Sequence, residues 1–230
     1  LRRLSYARVE GKSDSKWRQQ WYIIASRQQT AEGRISQKNG SSTRRDERDD
    51  VETYGLTSNV SSQLNHRWKA NSGLELYHYA VGSTRQDVNL NDGTSVQKRG
   101  LYPDHSSMLN VAAFSMHEID LHPWKLLAGV RYNAYQIKVS DEVLGKVRLK
   151  PAALVWNAAI QHALGKKANI FLSYHSGFRS PNIDDLGTLG IVDFRYEVTN
   201  YTLRPERSHN VQLGFKYQNK RLHTETYLFR

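Results

Sequence analysis

The residues able to do chemistry are numerous, but few of them sit at spacings that chemistry requires. The chain has nine histidines and no cysteine. Without cysteine there is no thiolate metal site, no disulfide framework and no cysteine nucleophile. The histidines form neither an H-E-x-x-H pair nor any other close ligand pair. Serine, histidine and aspartate are all present, yet no G-x-S-x-G elbow holds a serine for attack. Gly165-Lys166-Lys167 lacks the upstream glycines of a phosphate-binding loop. No catalytic residue, metal or cofactor is therefore expected. The residues that suit recognition instead are Arg195, Tyr196 and Tyr201, with Phe194 as apolar support. Arginine offers a forked donor to carboxylate or phosphate, and tyrosine a flat face with a polar tip. Together they suit a mouth for an anionic or chelated ligand.

The formal net charge of +11 raises the question of nucleic acid. Basic residues are mixed with acids, as in Arg44-Arg45-Asp46-Glu47-Arg48-Asp49-Asp50, and no basic helix or zinc-finger spacing accompanies them. Nucleic acid is not the expected partner. A basic surface also suits anionic lipid head groups or an anionic ligand steered to an opening.

The elements that must position these residues read as β throughout. Alternation of apolar and polar residues marks about ten strands, near 3–10, 16–32, 50–64, 68–82, 106–119, 123–139, 149–163, 168–177, 207–218 and 221–230. Short turns fall around Ser13-Asp14, Asn65-His66, Leu121-His122-Pro123, Gly165-Lys166 and Asn219-Lys220. Longer segments fall at 33–49, 83–105, 140–148 and 178–206. In an up-and-down sheet every second connection lies at the same end, so this alternation places turns at one end and loops at the other. Outer-membrane barrels have that asymmetry. The run Gly40–Asp50 reads as a polar loop.

Three strands show the pattern in detail. Val211, Leu213, Phe215 and Tyr217 share one face against Asn210, Gln212, Gly214 and Lys216. Trp124, Leu126, Ala128, Val130 and Tyr132 oppose Lys125, Gly129, Arg131 and Asn133, with Leu127 out of place. Leu154, Trp156, Ala158 and Ile160 oppose Val155, Asn157, Ala159 and Gln161 less cleanly. A soluble antiparallel sheet would give the same alternation. Two features favour a membrane wall: Trp68, Trp124, Tyr132 and Tyr217 lie near the ends of apolar faces, and several strands exceed the ~9–11 residues a tilted strand needs to cross hydrocarbon. Mean hydropathy of -0.69 is compatible, because alternation cancels in an average.

The C-terminal third carries motifs as well as pattern. Ser176-Gly177-Phe178-Arg179-Ser180-Pro181-Asn182 resembles the "GFRAPN" box of TonB-dependent receptors, and Asn200-Tyr201-Thr202-Leu203-Arg204-Pro205-Glu206 their "NPNLKPE" box. Order, spacing and placement at strand ends match, although Ser180 replaces alanine and Tyr201-Thr202 replaces Pro-Asn. Arg99-Gly100-Leu101-Tyr102-Pro103-Asp104 is similar to an "RYPDGS"-like stretch in some of these receptors. Phe178, Arg179, Pro181, Asn182, Leu203, Pro205 and Glu206 read first as loop anchors, since loop positioning accounts for each of them.

The resemblance implies an all-β fold: an antiparallel up-and-down transmembrane barrel segment of about ten strands, with 1–230 as part of a larger barrel. The family's plug, the remaining strands and the N-terminal segment that meets TonB would lie outside these residues, as would any secretion signal. It further implies TonB-energised uptake of a scarce nutrient (siderophore, cobalamin or a similar chelate) at the outer membrane of a Gram-negative bacterium, among lipid and lipopolysaccharide. In haem receptors of the family a histidine lies between the two boxes; residues 182–202 contain none. The competing readings are an extracellular β-sandwich binding or adhesion module and, further off, an outer-membrane enzyme.

Overall fold

The computed structural model describes residues 1–141, 145–187, 190–192, 195–197, 200 and 202–230. Ten strands form the staves of one antiparallel sheet: β1 (Arg2–Lys12), β2 (Gln20–Gln37), β3 (Thr43–Asn65), β4 (Trp68–Asn89), β6 (Ser106–Leu121), β7 (Trp124–Asp141), β9 (Ala152–Leu164), β10 (Ala168–Arg179), β13 (Glu206–Gln218) and β14 (His223–Phe229). They neighbour one another in chain order. β5 (Ser95–Arg99) adds to β4 and β8 (Gly145–Leu149) to β7. A short helix α1 (Ile183–Gly187) and a hairpin of β11 (Gly190–Val192) and β12 (Arg195–Glu197) occupy the connection between β10 and β13. The sheet is open, with β1 and β14 at its edges. The ten expected staves, and the alternation of turn end and loop end, match this architecture.

The loops depart from expectation. β2 runs to Gln37 and β3 starts at Thr43, so most of 33–49 is ladder, paired as far as Gln37↔Arg44. β3 and β4 reach 23 and 22 residues. Thr43–Asp50, read as loop, is therefore strand. The reason is that alternation reports only a strand with one apolar face; here both faces of Thr43–Asp50 are polar, the backbone ladder continues regardless, and ion pairs run along the strands. Arg44 pairs with Asp46, Arg48 with Asp50 and Arg85 with Asp87, each at 2.7 Å and each two residues along one strand. Likewise 83–105 contains the end of β4 and all of β5, and 140–148 contains the end of β7 and most of β8.

Register assigns the faces, because directly opposed residues of a pair point the same way. One face carries Leu56, Leu76, Val111, Val130, Trp156, Leu172, Val211 and Leu213. These side chains are uncovered: Leu154 is 54% exposed, Leu172 48% and Leu213 42%. The opposite face is polar. There Arg131 pairs with Glu75 at 2.6 Å and donates to Asn133 Oδ1 at 2.7 Å, and Asn133 donates to Asn110. Asn59 donates to Asn71, and Thr57 shares a hydrogen bond with Tyr77. Where bulk is needed on this face, a ring covers a glycine: Phe114 lies over Gly73 and Phe171 over Gly214, leaving no room for a Cβ at either glycine.

The sheet is thus inside out relative to a soluble sandwich, in which a second layer would cover the apolar face. Among the described residues the buried apolar cluster is small: Ile137, Val139, Ile183 and Leu186, with Val81, Met108, Val147, Leu149 and Leu203 against it. It sits on the polar side at the loop end, where α1 folds back onto β6 and β7.

Candidate functional site: the loop end of the sheet

At the loop end, β10 and β13 pair from Ala168↔Tyr217 to a last rung, Arg179↔Glu206. Pro181 follows that rung and Pro205 precedes it. Neither can donate to a ladder, so pairing stops there. The rung is also an ion-pair junction. Arg179 reaches Glu206 at 3.2 Å and Asp185 at 2.7 Å. The hydrogen bond that Arg179 donates to Asp185, the charge of Asp185 and that of Glu206 raise the Arg179 guanidinium pKa still further above neutrality.

Asn182 then starts α1 by a reciprocal cap. Its amide oxygen accepts from Asp185 N at 2.8 Å, while Asp185 Oδ2 accepts from Asn182 N at 3.0 Å. Two backbone donors that the first turn would leave unpaired are satisfied. The helix so placed turns Ile183 and Leu186 into the cluster, and Leu203, from the second box, packs against it. Pro181 is buried, and Phe178 meets Tyr135 edge-on at 6.2 Å. The two boxes, about twenty residues apart, therefore meet through Arg179, Glu206 and Leu203.

Beside them the 99–106 segment is pinned to the wall. Tyr102 N donates to Ser83 Oγ at 3.1 Å, Ser83 N to Asp104 Oδ1 at 3.0 Å, and Arg99 pairs with the buried carboxylate of Asp141 at 2.8 Å. Gly100 lies so close to Ser83 that a Cβ would collide with its backbone. Burial, helped by the carboxylates of Asp184 and Asp49, pushes the Tyr102 phenol above its ordinary pKa.

Of the ligand candidates, Arg195 and Tyr196 are placed by backbone on β12, opposite Val192 and Ile191. Tyr201 and Phe194 lie outside the described residues. The apolar cluster itself went unnoticed in the sequence. Its signal was a change of parity: apolar residues on β7 fall at 124, 126, 128, 130 and 132, then at 137 and 139.

A family model described as "TonB dependent receptor-like, beta-barrel" matches residues 3–230. The chain belongs to that family. TonB-dependent receptor barrels are outer-membrane proteins of Gram-negative bacteria, so in this family the apolar face meets lipid and the polar face the lumen. Comparison with curated protein sequences finds no match. Among solved structures the chain is similar to the copper transporter OprC (TM-score 0.84, 10% identity, 99% of this chain and 38% of that one). It is also similar to the ferric citrate transporter FecA (0.72, 15%, 99% and 34%) and to the hemophore receptor HasR of Serratia marcescens (0.72, 18%, 98% and 39%). At these identities the likeness is one of fold. The chain spans well under half the length of the receptors it matches. The family and these neighbours are receptors and transporters, not enzymes.

Proposed function

We propose that the receptor containing this chain resides in the outer membrane and imports a scarce nutrient with energy from TonB, and that its ligand is an anionic metal chelate of the siderophore kind. The observation that carries the reading is the combination of a family match over nearly the whole chain with a wall whose uncovered face is apolar. The β10–β13 connection, anchored by Arg179, Asn182, Leu203 and Glu206, holds the β11–β12 hairpin at the external mouth, and Arg195, Tyr196 and Tyr201 contribute ligand contacts from it. Lipid and lipopolysaccharide surround the wall, and TonB engages the receptor from the periplasm.

The test is uptake of radiolabelled ferric siderophores by cells carrying the receptor as their only iron route, with and without TonB. Uptake that is saturable and TonB-dependent is the expected result; transport of no chelate, or transport indifferent to TonB, overturns it. For the mouth, Arg195→Ala is expected to weaken ligand binding by roughly tenfold, the scale of one charge-assisted hydrogen bond. Unchanged affinity removes Arg195 from the site.

A further inference from the structure

The outward face of the wall is not uniform. On β7, β9 and β10, Leu126, Ala128, Val130, Ala158, Ile160 and Leu172 form an unbroken aliphatic stretch of it. On β3, β4 and β6 the same face carries Ser58, Ser72, Ser115 and His117, on the alternation that also presents Leu56, Leu76 and Val111.

Three of these polar side chains form one hydrogen-bonded row with Trp68. Trp68 Nε1 donates to His117 Nδ1 at 3.1 Å, His117 Nε2 meets Ser115 Oγ at 3.0 Å, and Ser115 Oγ meets Ser72 Oγ at 2.7 Å. An indole only donates, so Nδ1 holds the lone pair and Nε2 the proton that goes to Ser115. That fixes a count. Ser72 and Ser115 bring two hydroxyl protons, their mutual bond uses one, and His117 has no acceptor for the other. When Ser115 donates to Ser72, the proton left over belongs to Ser72, and nothing among the described residues accepts it. Ser58, diagonal to Ser72 on the neighbouring strand, has a hydroxyl that is likewise unengaged among the described residues.

Depth makes this costly. Ser72 is four residues from Trp68, about 10 Å above that rim at the usual strand tilt. It is six residues from His78, whose row with Tyr54 and Arg27 marks the polar end of the band. At that height neither water nor a lipid ester is at hand, and a donor left bare in hydrocarbon is expensive. The acceptor has to come from protein.

We propose that this face pairs with the same face of a second copy of the receptor, across a two-fold axis beside Ser72. The inference rests on the outer-membrane reading above and adds an oligomeric contact to it. Complementarity selects a second copy. Ser58 and Ser72 each hold a spare proton and spare lone pairs, so the positive and negative ends of these hydroxyls match when Ser58 of one copy meets Ser72 of the other, twice over. The relief fits itself as well. Leu74 stands up, 61% exposed, beside the low ground of Ser58, Ser72 and Ala113, so each copy offers a knob and a hollow. Close approach at small residues and hydroxyl bonding are what join spans within a membrane.

The experiment uses the full-length receptor in liposomes at serial dilutions in lipid, half labelled with a donor fluorophore and half with an acceptor. Energy transfer that persists on dilution and titrates to a two-copy endpoint is expected. Each hydroxyl bond across a membrane contact contributes roughly threefold to association, so Ser58→Ala/Ser72→Ala should weaken pairing about tenfold. Ser58→Thr/Ser72→Thr should keep it, and Leu172→Ala, on the aliphatic stretch, should leave it unchanged. Equal transfer in wild type and the alanine variant overturns the proposal, as does equal transfer to an unrelated outer-membrane barrel. Heat-modifiable migration in gels checks folding; if the alanine variant misfolds, Ala113→Phe, which fills the hollow, is read in its place and should abolish pairing. A receptor that fails to insert overturns both readings, whereas one that inserts, takes up chelate and stays single overturns the pairing alone.

Discussion

Arg179 ends one strand, faces the first residue of another and reaches a helix between them, so its removal should be felt across the whole connection. Arg179→Ala is expected to raise hydrogen exchange throughout 180–206 while lowering global stability little, because the side chain is more than half exposed. Exchange unchanged from wild type would show that the Pro181 and Pro205 stops suffice. Asn182→Ala removes half of a reciprocal cap and should cost about 1 kcal/mol locally. Ser176 offers a sharper case. Its hydroxyl accepts from Trp156 N at 2.8 Å and donates to Trp156 O at 2.9 Å, one rung past the end of β9–β10 pairing. A side chain there continues a ladder that the backbone has left. With hydrocarbon nearby no water replaces it, so Ser176→Ala should cost about 1–3 kcal/mol in unfolding titrations of the full receptor in lipid. A change below experimental error would place Trp156 within reach of water.

At the scale of elements, the apolar band predicts depth. Leu213 lies between Tyr217 near the turn end and His209 near the loop end, on the lipid-facing side. Leu213→Arg in the full receptor is expected to cost about 2–4 kcal/mol, the mid-bilayer penalty; a neutral outcome would move that position to the rim. Beyond the band the β3–β4 backbone ladder carries ion pairs along each strand, with Arg45–Asp87 at 4.0 Å across it. Hydrogen bonds from Arg48 and Arg85 keep the Asp50 and Asp87 carboxyls below their ordinary pKa. A carboxylate depressed in the folded state adds stability above its unfolded pKa and loses it as pH falls through the folded value. Amide protection across 43–50 and 82–89 should therefore be constant from pH 7 to 5 and decline below about pH 4, while the apolar-banded parts of the same strands stay protected. Protection that falls equally in both parts would assign the tips' stability to something other than these pairs.

The same division explains what the sequence let one read. Inside the band each strand has one apolar face, so ten staves and their turn ends were legible from period alone. Outside it Arg44 to Asp50 alternates nothing, and strand looked like loop. The mouth was half legible: Arg179, Pro181 and Pro205 announce a stop and a start, but the Arg179–Glu206 rung and the reciprocal bonds of Asn182 and Asp185 depend on register that spacing does not reveal. The cluster around Ile137 and Val139 was masked because the same strand turns greasy outward low down and greasy inward higher up. For the molecule as a whole, a wall with uncovered leucines on one side and open edges should aggregate when residues 1–230 are expressed without detergent. A monodisperse, cooperatively melting protein in plain buffer would contradict that.

The long ladders of β2, β3 and β4 have a practical sequel. From Tyr54 to Thr43 is eleven residues, about 28 Å of rise at the tilt usual for such walls. The bend at residues 38–42 would therefore stand clear of the bilayer like a mast, carried by paired backbone and not by slack chain. A short peptide tag spliced at Asn39–Gly40 should be within reach of antibody on living bacteria, and its height would not depend on whether the mouth holds cargo.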